Sequence, residues 1–488
     1  MALRILPPVR TLVWYRGKDL RVADHAPLRD AAASGEVVPL FVLDPYFFAP
    51  ERARELPHRM QFLLESLTAL AANLEHLGSR LVIVAGRAVD LVPRLARALR
   101  ADRVVAQRWC EPFARERDRR VAAACKLELF EGETLAPPGS LRTGAGTPYG
   151  VFTPFSRAFL GGVSPAPPLP TPRKLPPVPP DVLAAFGRGD LPRLAAPPTL
   201  ADLGITRNPA LQPGGERAAR ERLKAFLNGP GPRYHALRDR MDLPGTSRLS
   251  ADLKFGTLSI RTVWHAAADA LAGDARTRYL GELLWREFAH HTLWDRPTLL
   301  EQPFRPDFVG FPWRDDATLW DAWASGHTGY PVIDAAARQL LGEGFVHNRA
   351  RMITASFLTK HLLISFRRGE AHYLEWLTDG DWAQNDAGWQ WSAGCGCDAQ
   401  PYFRVFNPVT QGQRFDPEGA YVRRWVPELA RVPTRWLHAP WTAPPLELAA
   451  AGVRLGKAGS YPAPIVDHAV ARARFLALAR AHLGASKR

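Results

Sequence analysis

Polar and aromatic side chains alternate in one short stretch, DGDWAQNDAGWQW, residues 379–391. Three aspartates and Asn385 lie there beside Trp382, Trp389 and Trp391, in a segment otherwise suited to a protein interior. Burying polar groups is unfavourable unless hydrogen bonds compensate them. The stretch therefore implies a partner that satisfies these groups.

Two further motifs carry polar groups suited to binding. In GTSRLS, residues 245–250, a glycine precedes small hydroxyl residues and an arginine. Such N–H and hydroxyl groups can hold a phosphate, and a helix N-cap is an equally good explanation. In ELLWREF, residues 282–288, Glu282 and Arg286 stand four residues apart on one helix face, with Trp285 on the same side. A surface ion pair would also explain that spacing.

Alternating apolar and amphipathic segments over residues 10–135 predict a parallel sheet. Strand and helix in alternation imply right-handed crossovers and a doubly wound domain. No G-x-G-x-x-G follows the first strand, so the pattern does not predict dinucleotide binding there. The predicted strands are TLVWY, VVPLFVLD, RLVIVAG, DRVVAQR and LELFEGE.

The rest of the chain changes character twice. The segment 161–180 is too rich in proline for regular structure and reads as a connector. From about residue 200, apolar residues recur at helical spacing, as in RARMITASFLTKHLLISF, residues 349–366. The predicted fold class is α/β plus all-α: a Rossmann-like parallel-sheet domain over 8–135, a Pro-rich linker over 136–200 and an all-helical domain over 201–488.

Composition narrows the class of protein. The 488 residues include 46% hydrophobic and 23% charged residues, which is typical of a globular protein. No apolar run reaches the roughly 18 residues of a membrane span, and the N-terminus does not read as a signal peptide. Four cysteines without metal-site spacing predict reduced thiols, no metal site and a cytoplasmic location. The net charge of +15 suits a polyanion partner or a basic solvated surface.

The motifs together, in this order, resemble the photolyase/cryptochrome family of flavoproteins. The resemblance covers the chain outside the proline linker and is carried by WYRGKDLRVAD, GTSRLS, ELLWREF, TGYPVIDAAARQL, HNRARMITASFL, DGDWAQNDAGWQW and PYFRVFNP. Within the family the chain looks most like a class I cyclobutane pyrimidine dimer (CPD) DNA photolyase. This implies an N-terminal antenna domain, a C-terminal helical FAD-binding domain, and light-dependent repair in which excited FADH⁻ lends an electron to a flipped dimer.

The resemblance also assigns cofactor-binding residues. It implies that Asp379 pairs with Arg351 beside the isoalloxazine ring and that Asn385 places its amide at flavin N5. A neutral amide can donate or accept there without titrating. Gly380 and Asp381 would line the ribityl chain and the flavin edge. The diphosphate and remaining cofactor contacts would fall to Tyr234, Thr246, Ser247, Arg248, Leu249, Ser250, Glu282, Arg286 and Asn348.

A lesion pocket and a DNA surface follow from the same resemblance. Trp285 would offer an aromatic face to the flipped dimer, as base-extruding enzymes require. Glu282 would hydrogen-bond the thymine edge and stabilise the radical anion. The catalytic set implied is Glu282, Trp285, Asn348, Met352 and Asn385, and the DNA-binding set is Arg238, Trp285, Asn348, Arg349 and Gln411. The expected partner is UV-damaged DNA, bound by a monomer that does not associate with membranes.

The main alternative is a cryptochrome-type blue-light receptor with little or no repair activity. Plant-type receptors carry aspartate at the position of Asn385 and a long C-terminal extension, and we expect neither here. A (6-4) photolyase would need a second catalytic histidine where Met352 stands, because His347 alone does not make the pair. A cryptochrome that prefers single strands stays open, although such proteins usually depart from HNRARM. A DNA-binding module without catalysis would leave the polar FAD set unexplained.

Two family features are incomplete in this sequence. Trp389 and Trp313 match the ends of a three-tryptophan electron relay, but the middle position is Phe366, which is much harder to oxidise. We expect slow photoreduction unless Trp391 and Trp323 offer a detour. The segment QRWCEPFARERD, residues 107–118, falls where a second, antenna chromophore would bind. It does not decide between a folate, a deazaflavin and no antenna.

Overall fold

The chain folds into two compact units. The computed structural model describes residues 9–399, 401–457 and 460–485. The first unit contains residues up to Pro148, Pro154–Gly229 and Ser247–Pro297, and the second contains Tyr149–Thr153, Pro230–Thr246 and the residues from Thr298 onward. The domain boundaries expected from sequence, at 135/136 and 200/201, divide the chain differently and stay a prediction. Their outer ends, 8 and 488, lie outside the described residues.

A five-stranded parallel sheet forms the centre of the first unit. Its strands follow the order β3-β2-β1-β4-β5, and every predicted strand is present. Side chains of alternating strand positions enter two apolar layers, one on each face of the sheet. This confirms the doubly wound domain. The strands are β1 Val9–Tyr15, β2 Gly35–Leu43, β3 Val82–Ala85, β4 Arg103–Gln107 and β5 Leu127–Phe130.

Helices cover both faces of this sheet, and further helices of the same unit follow. The first set is α1 Ala26–Ser34, α2 Pro45–Phe48, α3 Pro50–Arg54, α4 Pro57–His76, α5 Ala88–Ala98 and α6 Pro112–Ala122. The later set is α7 Phe152–Gly162, which begins in the second unit, α8 Pro180–Ala185 and α9 Glu216–Asn228. After α10 Tyr234–Leu237 of the second unit come α11 Ser250–Phe255, α12 Ile260–Ala270 and α13 Gly273–Asp295.

The proline-rich segment lies against the first unit without regular structure of its own. Between α7 and α8 no helix or strand forms, as the proline content predicts. Its backbone is nevertheless fixed, because the Leu175 N–H donates to the Leu77 carbonyl and the Leu169 N–H to the Asp24 carboxylate. The connector is therefore an ordered strap.

The second unit is helical, as predicted, around one large apolar core. Residues 349–366, whose apolar residues recur at helical spacing, do not form a single helix. The helix ends at Ser356, a π-helical turn covers Phe357–His361, and Leu363 then adopts a left-handed conformation with φ of 59°. The remaining helices are α14 Ala317–Ser325, α15 Pro331–Glu343, α16 Asn348–Ser356, α17 Phe366–Trp376, α18 Trp382–Ala393, α19 Pro408–Phe415, α20 Ala420–Trp425, α21 Thr434–Leu437, α22 Pro445–Ala450 and α23 His468–Ala485.

None of the helices among the described residues has the length and apolar character needed to cross a bilayer.

Candidate functional site

Helix α13 of the first unit carries three of the predicted site residues on successive turns. Glu282 and Trp285 are half-buried, and Arg286 is buried. The Trp285 ring meets Phe288 edge to face, with centroids 6.0 Å apart, which fixes the indole plane. One Arg286 amino group donates to the Glu133 carbonyl at 2.6 Å, whereas its Nε has no partner among the described residues. That buried donor is available to a ligand.

Buried charges anchor α13 beneath these residues. Glu287 is fully buried and accepts hydrogen bonds from the Leu135 N–H at 2.9 Å and the Ala136 N–H at 3.4 Å. Burial raises the pKa of Glu287 to about 7. His290 bonds the Arg286 carbonyl at 2.8 Å through Nδ1. The anchored backbone holds Glu282 and Trp285 in a defined register.

The GTSRLS motif straddles the boundary of the two units, with Thr246 in the second and Ser247, Arg248, Leu249 and Ser250 in the first. Arg248 has a φ of 52°, a left-handed conformation that non-glycine residues adopt at a cost. Gly245 and Leu249 of the motif are buried, and its other four residues are half-buried. A hydrogen bond joins Ser247 to Tyr279, whose pKa burial raises to about 12. Strain and half-buried hydroxyls are consistent with a polar ligand here.

In the second unit, the predicted DNA-contacting residues lie on two helices, α16 and α19, and directly after a third, α10. Arg238 follows α10 and stacks 5.7 Å from the ring centroid of the buried Tyr234. Arg349, in the first turn of α16, donates to Asp239 at 2.8 Å and stacks on Phe415 of α19 at 4.4 Å. Gln411 is half-buried in α19. The guanidinium groups of both arginines therefore lie near the protein surface.

An ion pair joins α16 to the loop before α18. An Arg351 amino group lies 2.8 Å from one Asp379 oxygen and 3.1 Å from the other, and Arg351 Nε donates to the Val346 carbonyl. The Asp379 side chain is only 4% exposed, so the pair is largely shielded from water. Gly380 follows, and the buried Asp381 caps α18 by accepting from the Gln384 N–H. The Arg351–Asp379 contact is thus present, while its place beside a flavin stays a prediction.

Asn385 presents one defined face of its amide. Its side-chain nitrogen donates to the Glu370 carbonyl at 3.0 Å. Its side-chain oxygen has no hydrogen-bond partner within the described chain, and the residue is 8% exposed. The oxygen is therefore the free acceptor. At the start of the neighbouring α16, the exposed Asn348 donates to the sulfur of Met352, one turn further on, at 3.8 Å.

The tryptophans of the second unit form two short ring series. The ring centroids of Trp313 and Phe366 lie 6.3 Å apart, and the place of Phe366 in the middle of an electron relay stays a prediction. Trp389 is buried 6.0 Å from Trp323, which in turn lies 5.4 Å from Trp320. Trp391 has no ring neighbour among the described residues. Of the two predicted detour residues, only Trp323 contacts Trp389.

A glycine makes room for the buried indole of Trp389. A Cβ on Gly369 would stand 2.2 Å from Trp389 Cη2, closer than real contacts allow. Helix α17 can therefore approach α18 only with glycine at this position.

A buried charge cluster was not foreseen from the sequence. Arg367 of α17 lies between Glu370 and Asp386, and Gln390 donates to Asp386. The signal was present in the spacing, since 367 and 370 stand three apart and 386 and 390 four apart on two helices. The pairing of those helices could not be read from the sequence.

Comparisons with known proteins identify similar chains. Residues 11–174 match the family model described as DNA photolyase, and residues 279–481 match the model described as the FAD binding domain of DNA photolyase. A deoxyribodipyrimidine photo-lyase of Agrobacterium fabrum is 40% identical, covering 98% of each chain. A deoxyribodipyrimidine photo-lyase of Thermus thermophilus is 43% identical, covering 86% of this chain and 92% of its relative.

Solved structures show the same likeness. A bacterial class III photolyase from Agrobacterium tumefaciens superimposes with a TM-score of 0.88 at 37% identity, covering 98% of each chain. A cryptochrome from Synechocystis superimposes with a TM-score of 0.85 at 28% identity, covering 97% of this chain and all of the other. The class I expectation therefore stays a prediction.

Proposed function

The chain belongs to the DNA photolyase family, and from that premise we propose that it repairs cyclobutane pyrimidine dimers in UV-damaged DNA under blue light, using bound FAD. The observation that carries the proposal is the Asn385 amide, whose oxygen is held free by a hydrogen bond from its own nitrogen to Glu370. An acceptor fixed in this way suits an N–H at flavin N5.

The remaining predicted residues supply a chemically suitable setting for the cofactor. The Arg351 guanidinium gives a positive neighbour for an anionic reduced flavin, and Asp379 keeps it oriented. Tyr234, Arg248 and the hydroxyls of Thr246, Ser247 and Ser250 are proposed to hold the diphosphate. Gly380, Asp381, Leu249, Arg286 and Asn348 complete the proposed FAD contacts. When bound in its reduced form, FAD would supply, on absorbing light, the electron that opens the cyclobutane ring. The electron would then return to the flavin.

The residues of the chain itself act on the lesion and its strand. Trp285, held edge-on by Phe288, is proposed to stack on the flipped dimer. Glu282 is proposed to hydrogen-bond the thymine edge and thereby to hold the flipped dimer in place for electron transfer. Asn348 and Met352 would complete the pocket, and Arg238, Arg349 and Gln411 would contact the phosphate backbone. We further propose that the protein acts as a cytoplasmic monomer of the class I type.

A receptor without repair activity is the alternative, and lesion recognition separates the two. We expect the purified protein to show flavin absorption and to bind a thymine-dimer duplex in the dark more tightly than the undamaged duplex. Trp285→Ala should abolish that preference, while Trp441→Ala, the same change at a tryptophan outside the proposed pocket, should leave it intact. Bound flavin without any lesion preference would contradict the repair proposal and favour the receptor.

A further inference from the structure

One buried cluster of charges serves no purpose in the proposed repair chemistry. Arg367 of α17 places one amino group 2.8 Å from a Glu370 oxygen and 2.8 Å from an Asp386 oxygen. Both carboxylate side chains are buried, at 6% and 4% exposure. A single guanidinium therefore bridges two acids that belong to different helices.

The surroundings of the cluster fix its geometry and its charge. The second Arg367 amino group donates to the backbone carbonyls of Leu299 and Gln302. Gln390 donates to both Asp386 oxygens, at 2.9 and 3.1 Å, and its own carbonyl oxygen accepts from the Phe304 N–H. The arginine is thus committed to this position by backbone acceptors as well as by the acids.

Two more titratable or charged groups face the cluster from the segments packed against it. The buried Cys395 thiol interacts with Asp386, and burial raises its pKa above the range where it ionises in neutral solution. Arg305 acts on Cys395 and is itself paired with Asp307. Neither group supplies a free charge, so the balance is set by two carboxyls and Arg367.

Two like charges around one guanidinium leave the buried cluster one negative charge in excess if both acids ionise. Burial, with the Asp386 charge as the next cause, raises the pKa of Glu370 to about 7. Burial likewise raises the pKa of Asp386 to about 6. One proton shared by the pair makes the cluster neutral near physiological pH.

The cluster is connected to the proposed flavin neighbour through the backbone. Glu370 is the residue whose carbonyl accepts the Asn385 side-chain N–H, and Asp386 follows Asn385 directly in α18. The backbone carbonyl of Glu370 therefore sets which atom of the Asn385 amide is left free, and both acids lie on the helix turns that position that amide.

We propose that Arg367, Glu370 and Asp386 are positioning residues that fix Asn385 as an acceptor, and that they take up one proton when a negative charge forms beside it. The inference rests on the proposed binding of FAD next to Asn385. In this step an external chemical reductant supplies the electrons to the flavin, and the proton comes from solvent to a carboxylate oxygen of the pair. Reduction and protonation then favour each other by linkage.

The test is the pH dependence of the flavin midpoint potential in the intact flavoprotein, measured by spectroelectrochemical titration. We expect the slope against pH to change between about pH 6 and 7, where the pair loses its proton. In Asp386→Asn and in Glu370→Gln this change of slope should disappear. The one remaining carboxylate then pairs with Arg367 alone and ionises at lower pH. A role in packing alone would not remove a pH break.

Two further variants serve as a control and as a second test of the cluster. Asp416→Asn is the matched control: burial raises the Asp416 pKa to about 6 in the same unit, but this acid binds the backbone of α20, so the break should persist. Arg367→Lys should move the change of slope to higher pH. This variant provides the test if Asp386→Asn and Glu370→Gln do not fold. An unchanged break in all cluster variants overturns the proposal. A protein that binds no flavin would instead defeat the proposed function.

Discussion

Single side chains in this protein take their roles from the groups that hold them. Asn385 could donate or accept, and the Glu370 carbonyl decides between the two. The Arg351–Asp379 pairing could be predicted from the motif resemblance, because both residues belong to recognised sequence motifs. The Glu370–Asp386 cluster could not, because its members are ordinary in sequence and become neighbours only when α17 packs on α18.

Glu282 provides the prediction at this scale. Glu282→Ala should keep FAD bound but weaken lesion binding and lower the quantum yield of splitting, because a hydrogen bond to a charged group contributes about 1.5–3 kcal/mol. Glu282→Gln, which keeps the shape and one acceptor, should lose less. Affinity for the dimer duplex and repair per absorbed photon are the quantities to measure. Values unchanged in the alanine variant would remove Glu282 from the site.

Elements bring together what periodicity alone cannot. Alternating apolar segments predicted the parallel sheet, because buried strands and amphipathic helices leave different patterns. The π-helical turn at Phe357–His361 escaped that reasoning, since its residues continue the apolar spacing of α16. Trp323 meets Trp389 only because α14 and α18 share the same core.

The two ring series predict the path of photoreduction. In the oxidised protein, the electron hole should pass from Trp389 to Trp323, because Phe366 is hard to oxidise and Trp323 lies 6.0 Å away. Trp323→Phe should slow flavin photoreduction, and Phe366→Trp should speed formation of a long-lived tryptophan radical. Transient absorption measures both. If Trp323→Phe leaves the rate intact, the detour does not operate.

The π-helical turn predicts a pH effect on stability. Lys360 is fully buried there, with its amine donating to the Arg404 carbonyl, and burial lowers its pKa to about 7. The unfolded chain, with a lysine pKa of about 10.4, binds more protons than the folded one between these values. The contribution of Lys360 should therefore increase the free energy of unfolding as the pH rises from about 7 to 10.

Substitution of Lys360 isolates that contribution. Lys360→Met should flatten the rise, which denaturant unfolding at several pH values would detect. Lys254→Met, which changes a lysine that the proton-binding argument does not involve, is the control. Equal pH slopes in Lys360→Met and the unmodified protein would show that Lys360 titrates normally.

The whole molecule carries a net charge of +15, which alone suits either a DNA partner or a basic solvated surface. Only the placement of Arg238 and Arg349 on neighbouring elements of the second unit favours a phosphate-binding surface. The division into two units was also beyond the sequence, because helices α9 and α11–α13 belong to the unit of the sheet. Helical periodicity does not reveal which neighbour a helix packs against.

Salt should weaken binding of the whole protein to DNA, because arginine–phosphate contacts release counterions. The logarithm of the association constant should fall linearly with the logarithm of salt concentration. Arg349→Gln should reduce that slope by about 1 for both damaged and undamaged DNA. Trp285→Ala should instead remove lesion preference at every salt concentration and leave the slope unchanged. An affinity independent of salt would contradict a backbone-binding surface.

Light-dependent reversal of the lesion is the central claim. The decisive measurement is repair of a thymine-dimer oligonucleotide by the purified, chemically reduced protein under blue light, with a dark sample and a protein-free illuminated sample beside it. We predict that intact thymines reappear only in the illuminated sample that contains the protein, over many turnovers and without consumption of reductant. Stable binding of the dimer with no restored thymine under illumination would contradict the claim.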